Sequence, residues 1–461
     1  MSLTSALNSA LSGLGVTARR AETVSANIAN AGTEGYARRS LSILPSVGMA
    51  GVRVAGTERQ IDTAVLGELR LSTADSTGTA LLARQMLRLE AAIGKAGASD
   101  SVAGAIDRLD RALLSAAANP GTDAALAEVS DAASSLARRF ASASAGIQTI
   151  RAESDSRIAA DVASLSSGLA EVAALDRQIA LLRSGGQDAS SVMDQRQARI
   201  SALSAIVPLR EVTRRDGATM LTTLAGTVLL DRNPPVLAFS PTPAFGADRT
   251  APLSPLLLDG RPVPFTPDGP FSGGSLSASF DLRDRIATTL QTDLDRLAMQ
   301  VESRLRLADT TLPAGLPGLL TDDGRVGDSS RLAGLSARLD LNAAVDFDAG
   351  GALWKVRSGL GATQPSPVGD GRHLLALRDA LRDATGAAAG LSESLVQRRV
   401  AEEDRAAAAV ARSASLSDLA ARDGVNTDAE LQDLLGIERA FAANAKVLQA
   451  VDNMLKTLLE R

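Results

Sequence analysis

The chain has 461 residues, 45% of them hydrophobic and 22% charged, a length that suggests roughly three domains of ordinary size. A formal net charge of −5 argues against a protein that coats nucleic acid, because phosphate binding needs a clustered basic surface. With no Cys and a single His, the chain has no disulfides, thiolate metal sites or multi-His metal sites, and with 2% aromatic residues its core must rely on Ala, Leu, Val and Ile, which favours packed helices over a large β-sandwich.

Residues 3–30 predict an amphipathic helix, because Leu3, Leu7, Ala10, Leu14, Ala21, Val24 and Ile28 recur at helical spacing. Asn30-Ala31-Gly32 ends it, since Asn and Gly tolerate the left-handed cap conformation. A loop over 33–36 leads into short strands within 37–58. From about 60 to 205 the pattern is helical, in segments 61–95, 101–118, one from Thr122-Asp123 that runs, whole or broken once, to Leu182, and one from Ser190 to just before Pro208. Asn119-Pro120-Gly121 and Ser184-Gly185-Gly186 punctuate them. The texture then changes: five of the eight Phe lie in 209–280, ten of the seventeen Pro fall between Pro234 and Pro270, and 219–230 reads as paired strands around a turn. Gly273-Gly274 opens another helix, with a stripe from Leu282 to Leu305. Residues 308–372 are rich in Gly, Asp and Pro and show little helical pattern. Helix resumes at Leu374, and the last segment carries a heptad-like seam of Leu434, Ile437, Phe441, Ala445, Leu448, Val451, Leu455 and Leu458.

No apolar run approaches the roughly 18 residues of a membrane-spanning helix, so no membrane insertion is expected. Residues 1–18 lack the pattern of a secretory signal. The reading is a cytoplasmic chain, or one that leaves by a route that reads no cleaved signal. Terminal helices with unpartnered apolar seams must pair with each other or with another chain.

No constellation for catalysis, cofactor or metal binding emerges. Gly13-x-Gly15 and Gly359-x-Gly361 lack the rest of a dinucleotide fingerprint. Thr321-Asp322-Asp323-Gly324 and Asp346-x-Asp348 lack the full calcium-loop spacing and read as turns. His373 reads as a residue at a helix start.

Residues 11–36 carry a far more specific pattern: a Ser-Gly-Leu helix, then Asn27-Ile28-Ala29-Asn30, then Thr33-x-Gly35-Tyr36. Physically, the asparagines cap the helix and bond the turn, Gly35 supplies backbone freedom, and Tyr36, the only Tyr of the chain, anchors the loop to the helix. This segment resembles the N-terminal signature of the bacterial flagellar rod, hook and hook-associated axial proteins. Gly424-Val425-Asn426 through Glu430-Leu431, Leu434-Leu435 and Glu438-Arg439-Ala440-Phe441-x-Ala443-Asn444 resembles the terminal helix of the same family, with Glu438 and Phe441 where Gln and Tyr are usual. Gly51 to Asp62, Met193 to Gln197 and Gly273 to Leu276 are similar to interior segments of the hook–filament junction members.

The resemblance implies a mainly α protein with a small β-rich inserted domain, terminal coiled-coil helices and a long helical bundle or rod. Its expected parts are a terminal inner-tube domain from 1–59 and 415–461, a helical middle domain from 60–208 and 276–414, and a β-rich outer domain from 209–275. It implies a structural subunit rather than an enzyme, without cofactor, that is secreted by type III export to the hook–filament junction and is cytoplasmic before export. Expected partners are copies of itself in a ring or tube, the hook protein, the second junction protein, the filament cap protein and an export chaperone on the C-terminal helix. Asn27, Ile28, Asn30, Thr33, Gly35 and Tyr36 are expected to anchor the loop. Leu3, Leu7, Leu14, Val24, Leu434, Ile437, Phe441, Asn444, Leu448, Val451, Leu455 and Leu458 are expected to pack subunits. The alternatives are a hook or rod subunit, or an axial protein with a wall-hydrolase domain, for which Asp322, Asp323, Asp346 and Asp348 are the acids to test.

Overall fold

The computed structural model describes residues 3–459 apart from 34, 47–50, 96, 215–216, 249–252, 267–268 and 423; the side chains of 458 and 459, and so the expected packing of Leu458, lie outside the described residues. Helix α1 (Leu3–Ala29) is followed by an antiparallel hairpin of β1 (Arg39–Pro45) and β2 (Val52–Arg59), which pairs Arg39 with Arg59 and carries a bulge between Ser42 and Ile43. Helix α2 (Thr63–Ile93) starts where the Asp62 carboxylate accepts from the Ala64 and Val65 amides, and α3 (Val102–Ala118) where the Ser101 hydroxyl accepts from Gly104. Helix α4 (Asp123–Ser184) is unbroken over 62 residues, about 93 Å at 1.5 Å per residue. Helix α5 (Ser190–Ser204) returns along it.

Two three-stranded antiparallel sheets follow: β3 (Leu209–Thr213), β4 (Thr219–Thr223) and β5 (Val228–Asp231), then β6 (Leu237–Ala238), β7 (Leu256–Leu258) and β8 (Arg261–Val263). Helix α6 (Gly274–Asp281), a π-helical turn at Leu282–Ile286, and α7 (Ala287–Ala308) form the next long element. The Gly/Asp-rich stretch holds the antiparallel pair β9 (Leu320–Asp322) and β10 (Leu339–Leu341) with short helices α8 (Leu335–Arg338) and α9 (Trp354–Ser358). Helices α10 (Arg372–Arg422) and α11 (Thr427–Leu459) complete the chain. The protein is thus mainly α with small sheets.

Two apolar cores organise the body. One joins α2, α3, the first half of α4, α7 and the first half of α10, and it also takes in Leu319, Leu320, Leu335, Leu339, Leu341, Val345, Val356 and Leu360. The stretch 308–372, patternless in sequence, is therefore part of the helical core. The other joins the second half of α4, α5 and α6 to the strands, through Ile158, Leu165, Ile200, Leu221, Leu230, Leu256 and Phe271. At their meeting point α2 and α6 touch closely: a Cβ on Gly78 would lie 2.9 Å from the Gly274 carbonyl oxygen, so only glycine fits.

Against the expectation that no segment is long and apolar enough to span a membrane, α4 is so by length and composition, with Ala, Ser and Thr separating its larger residues. Its Leu126, Leu136, Phe140, Ile147, Ile158 and Leu165 are fully buried in the two cores.

Candidate functional site

The loop after α1 is where both chain ends and the body meet. Asn30 closes the helix, its side-chain amide donating to the Ala26 carbonyl at 2.8 Å. The Thr33 amide then donates to the Asn30 carbonyl at 2.9 Å and the Tyr36 amide to the Thr33 carbonyl at 3.2 Å. Gly35 has φ +78, and a Cβ there would sit 3.1 Å from Cβ of Ala198 on α5, so both the backbone and the space favour glycine. Ile28 is half-buried.

Asn27 is the centre. It is 1% exposed, and its carboxamide uses both ends. The oxygen accepts from the Tyr36 hydroxyl at 2.9 Å and the Arg39 amide at 3.0 Å; the nitrogen donates to the Arg39 carbonyl at 2.9 Å and to Glu430 at 3.1 Å. One side chain therefore fixes the end of α1, the start of the hairpin and the first turn of α11. Asn426 caps α11, accepting from the Asp428 and Ala429 amides, and places Glu430, which is fully buried and also accepts from Arg38 Nε at 2.6 Å. Tyr36 has Arg39 stacked on its ring at 4.9 Å. Burial raises the Tyr36 pKa above its ordinary 10.0; Arg39 opposes that, while the Asp194 and Glu430 charges add to it.

On the body side, Asp194 of α5 grips both hairpin strands, bonding Arg39 at 3.0 Å and Arg59 at 2.6 Å. Burial lowers the Arg59 pKa against the pull of Asp194. Neither Glu430 nor Asp194 stood out in the sequence as an anchor, although both lie in the quoted motifs. For Glu430 a signal exists: it shares the helical face of Leu434 and Ile437, and a charge on an apolar seam asks for a buried partner.

α1 and α11 pack antiparallel within one chain. Val24, Ile437 and Val451 are buried by that pairing, and Leu3, Leu7, Leu14, Leu434, Asn444 and Leu448 are half-buried. Gly13 lets the helices close, since a Cβ there would be 2.8 Å from the Asn444 amide nitrogen. Phe441 and Leu455 stay 46% and 37% exposed, which leaves seam residues available to a further chain.

Two of the four acids in 308–372, Asp322 and Asp346, have side-chain partners, and the other two take part through their backbone amides. Asp322 is fully buried and bonded by Arg338 at 2.7 Å; Asp323 and Gly324 make the turn after β9 with φ 53 and 77; Asp346 accepts from the Asp348 amide. His373, at the start of α10, lies 3.9 Å from Asp309, and burial lowers its pKa. Among the described residues no three His, Asp or Glu side chains are grouped as a metal site requires.

Parts of the chain match known proteins. Residues 7–36 match the family described as flagella basal body rod protein, 86–305 the helical domain of flagellar hook-associated protein FlgK, and 422–461 the C-terminal region of flagellar basal body rod FlgEFG proteins. Over 233 residues the chain is 28% identical to flagellar hook-associated protein 1 of Salmonella typhimurium and 26% identical to that of Escherichia coli K12, covering 48% of this chain and 42% of each relative. The chain thus matches somewhat under half the length of these relatives. A solved structure described as the flagellar hook junction protein FlgK from Burkholderia pseudomallei matches with a TM-score of 0.47 and 20% identity, over 55% of this chain and 46% of that one.

The two segments that match rod-type proteins are the two that Asn27 and Glu430 join. The chain thus resembles the flagellar rod, hook and hook-associated proteins at both ends, and residues 86–305 match the FlgK-type helical domain.

Two outcomes follow from the knot. Asn27→Ala strands the Arg39 backbone groups in a buried place, at a cost of about 1–3 kcal/mol; the Arg39 amide then exchanges with solvent roughly 5- to 150-fold faster, whereas Leu44→Ala, on the exposed side of β1, leaves it unchanged. Because Tyr36 is the only Tyr, tyrosinate absorbance on raising pH reports it alone. Its midpoint lies above 10.0 in the folded chain and returns to the ordinary value in denaturant. A raised folded pKa favours the neutral phenol, so this contribution to stability is complete below pH 10 and is lost as pH climbs through the folded value.

Proposed function

We propose that the protein is a structural subunit of the bacterial flagellum that forms the junction between hook and filament, reached by type III export and built by self-assembly through its terminal helices. The observation that carries the reading is the combination in one chain of rod-type ends, joined at Asn27 and Glu430, with a FlgK-type helical body over 86–305. Rod and hook subunits share the ends; the helical body favours the junction.

In this reading 1–59 and 415–461 form the inner-tube layer, 60–208 and 276–414 the helical middle layer, and 209–275 the outer β-rich layer. Phe441, Leu455 and the half-buried seam residues Leu3, Leu7, Leu14, Leu434, Asn444 and Leu448 contact neighbouring copies in a ring or tube. The hook protein, the second junction protein and the filament cap protein are the partners along the axis, and an export chaperone holds the C-terminal helix before secretion. An adaptor between a bending hook and a stiff filament benefits from a rigid frame, and an unbroken 62-residue helix with both cores built on it supplies one.

Antibody labelling of intact flagella, viewed by electron microscopy, tests the reading. The expected result is a short band at the hook–filament boundary. Label along the whole hook would make the protein a hook subunit, and unlabelled flagella would end the structural reading.

A further inference from the structure

Among the described residues the terminal unit, made of α1, the hairpin and α11, shares no apolar core with the body. Its buried apolar residues Ala10, Val16, Val24, Ala37, Ile437 and Val451 belong to none of the apolar clusters found among the described residues. It meets the body through α5: Asp194 on Arg39 and Arg59, and Ala198 against Gly35. The chain passes from unit to body at 60–62 and back at 424–426. Two open concavities flank the first crossing, of about 790 Å³ on the α11 side and about 630 Å³ on the α5 side, and Arg59, Ile61 and Thr63 line both. The neighbouring helix ends are thinly covered: beyond Leu395 only Ala409 of α10 is buried.

Interlocked apolar side chains resist displacement because any shift opens voids. A joint made of ion pairs and empty space has no such resistance, and its geometry is set by a few directional bonds. We propose that Asp194 is a positioning residue, an ionic clamp that sets the angle between the terminal unit and the helical body, and that the unit swings about 60–62 and 424–426 when the clamp opens. One carboxylate holding an arginine from each strand of the hairpin fixes a direction as well as a contact. The knot at Asn27 and Glu430 lies inside the unit, so the unit moves as a whole. The clamp is a property of a single chain and stands whether or not the flagellar reading does.

The full-length chain, free of native Cys, suits spin-label distance measurement. Exposed Ser25→Cys on α1 and Ser167→Cys on α4 report the angle; exposed Ser25→Cys and Ala442→Cys on α11 report the unit itself. The expected result is one dominant distance between unit and body in the parent chain, its loss to a broad or split distribution in Asp194→Asn, and its return in Asp194→Glu, with the distance inside the unit and the helix content unchanged throughout. An unchanged distribution in Asp194→Asn overturns the proposal, as does a parent chain already as broad as the variant. Broadening of the distance inside the unit would also overturn it, because Asp194 would then be holding the unit's fold rather than its orientation.

Discussion

A single carboxamide decides how the ends of this chain are organised. Asn27, itself 1% exposed, has donors and acceptors for the Tyr36 hydroxyl, both backbone groups of Arg39 and the buried Glu430 carboxylate, and it satisfies all of them. Because buried polar groups without partners are costly, these groups must arrive together. The stop of α1, the start of the hairpin and the docking of α11 are thus one event, and the antiparallel pairing that buries Val24, Ile437 and Val451 inherits its register from it.

The body follows a different logic. Its two cores are apolar, Ala- and Leu-rich and threaded by α4, so its shape comes from packing. The junction between terminal unit and body is polar, with Asp194 and Arg59 at its centre. The molecule therefore puts rigidity where helices stack and places directional, ionic contact where parts of the chain meet.

Much of this was legible in the sequence. Local signals placed the helices: Asn119-Pro120-Gly121 stops α3, Ser184-Gly185-Gly186 stops α4, and Gly273-Gly274 opens α6, because Gly and Pro act through their own backbone. The Asn-Ile-Ala-Asn loop was also readable, since capping and turn chemistry are local. What escaped was non-local. Asp194 and Glu430 act across 155 and 403 residues of chain, and no spacing rule reaches that far. The core role of Leu319, Leu335 and Val356 escaped because they sit among Gly and Asp with no period to mark them. The burial of Ile437 and Val451 shows the limit of a seam as a signal: an apolar stripe says that a partner exists, and here part of that partner is the other end of the same chain.

The central claim is that the two ends close on each other within one subunit, and a cross-link tests it most directly. Gly13 and Asn444 face each other across the helix pair, and the chain has no other Cys to interfere. With both replaced by Cys and the protein oxidised, the account predicts a disulfide within one chain, seen as a band of monomer mass with altered mobility that reduction restores. A ladder of disulfide-linked oligomers, or no bond at all, would contradict it, because the termini would then be pairing between subunits or staying apart.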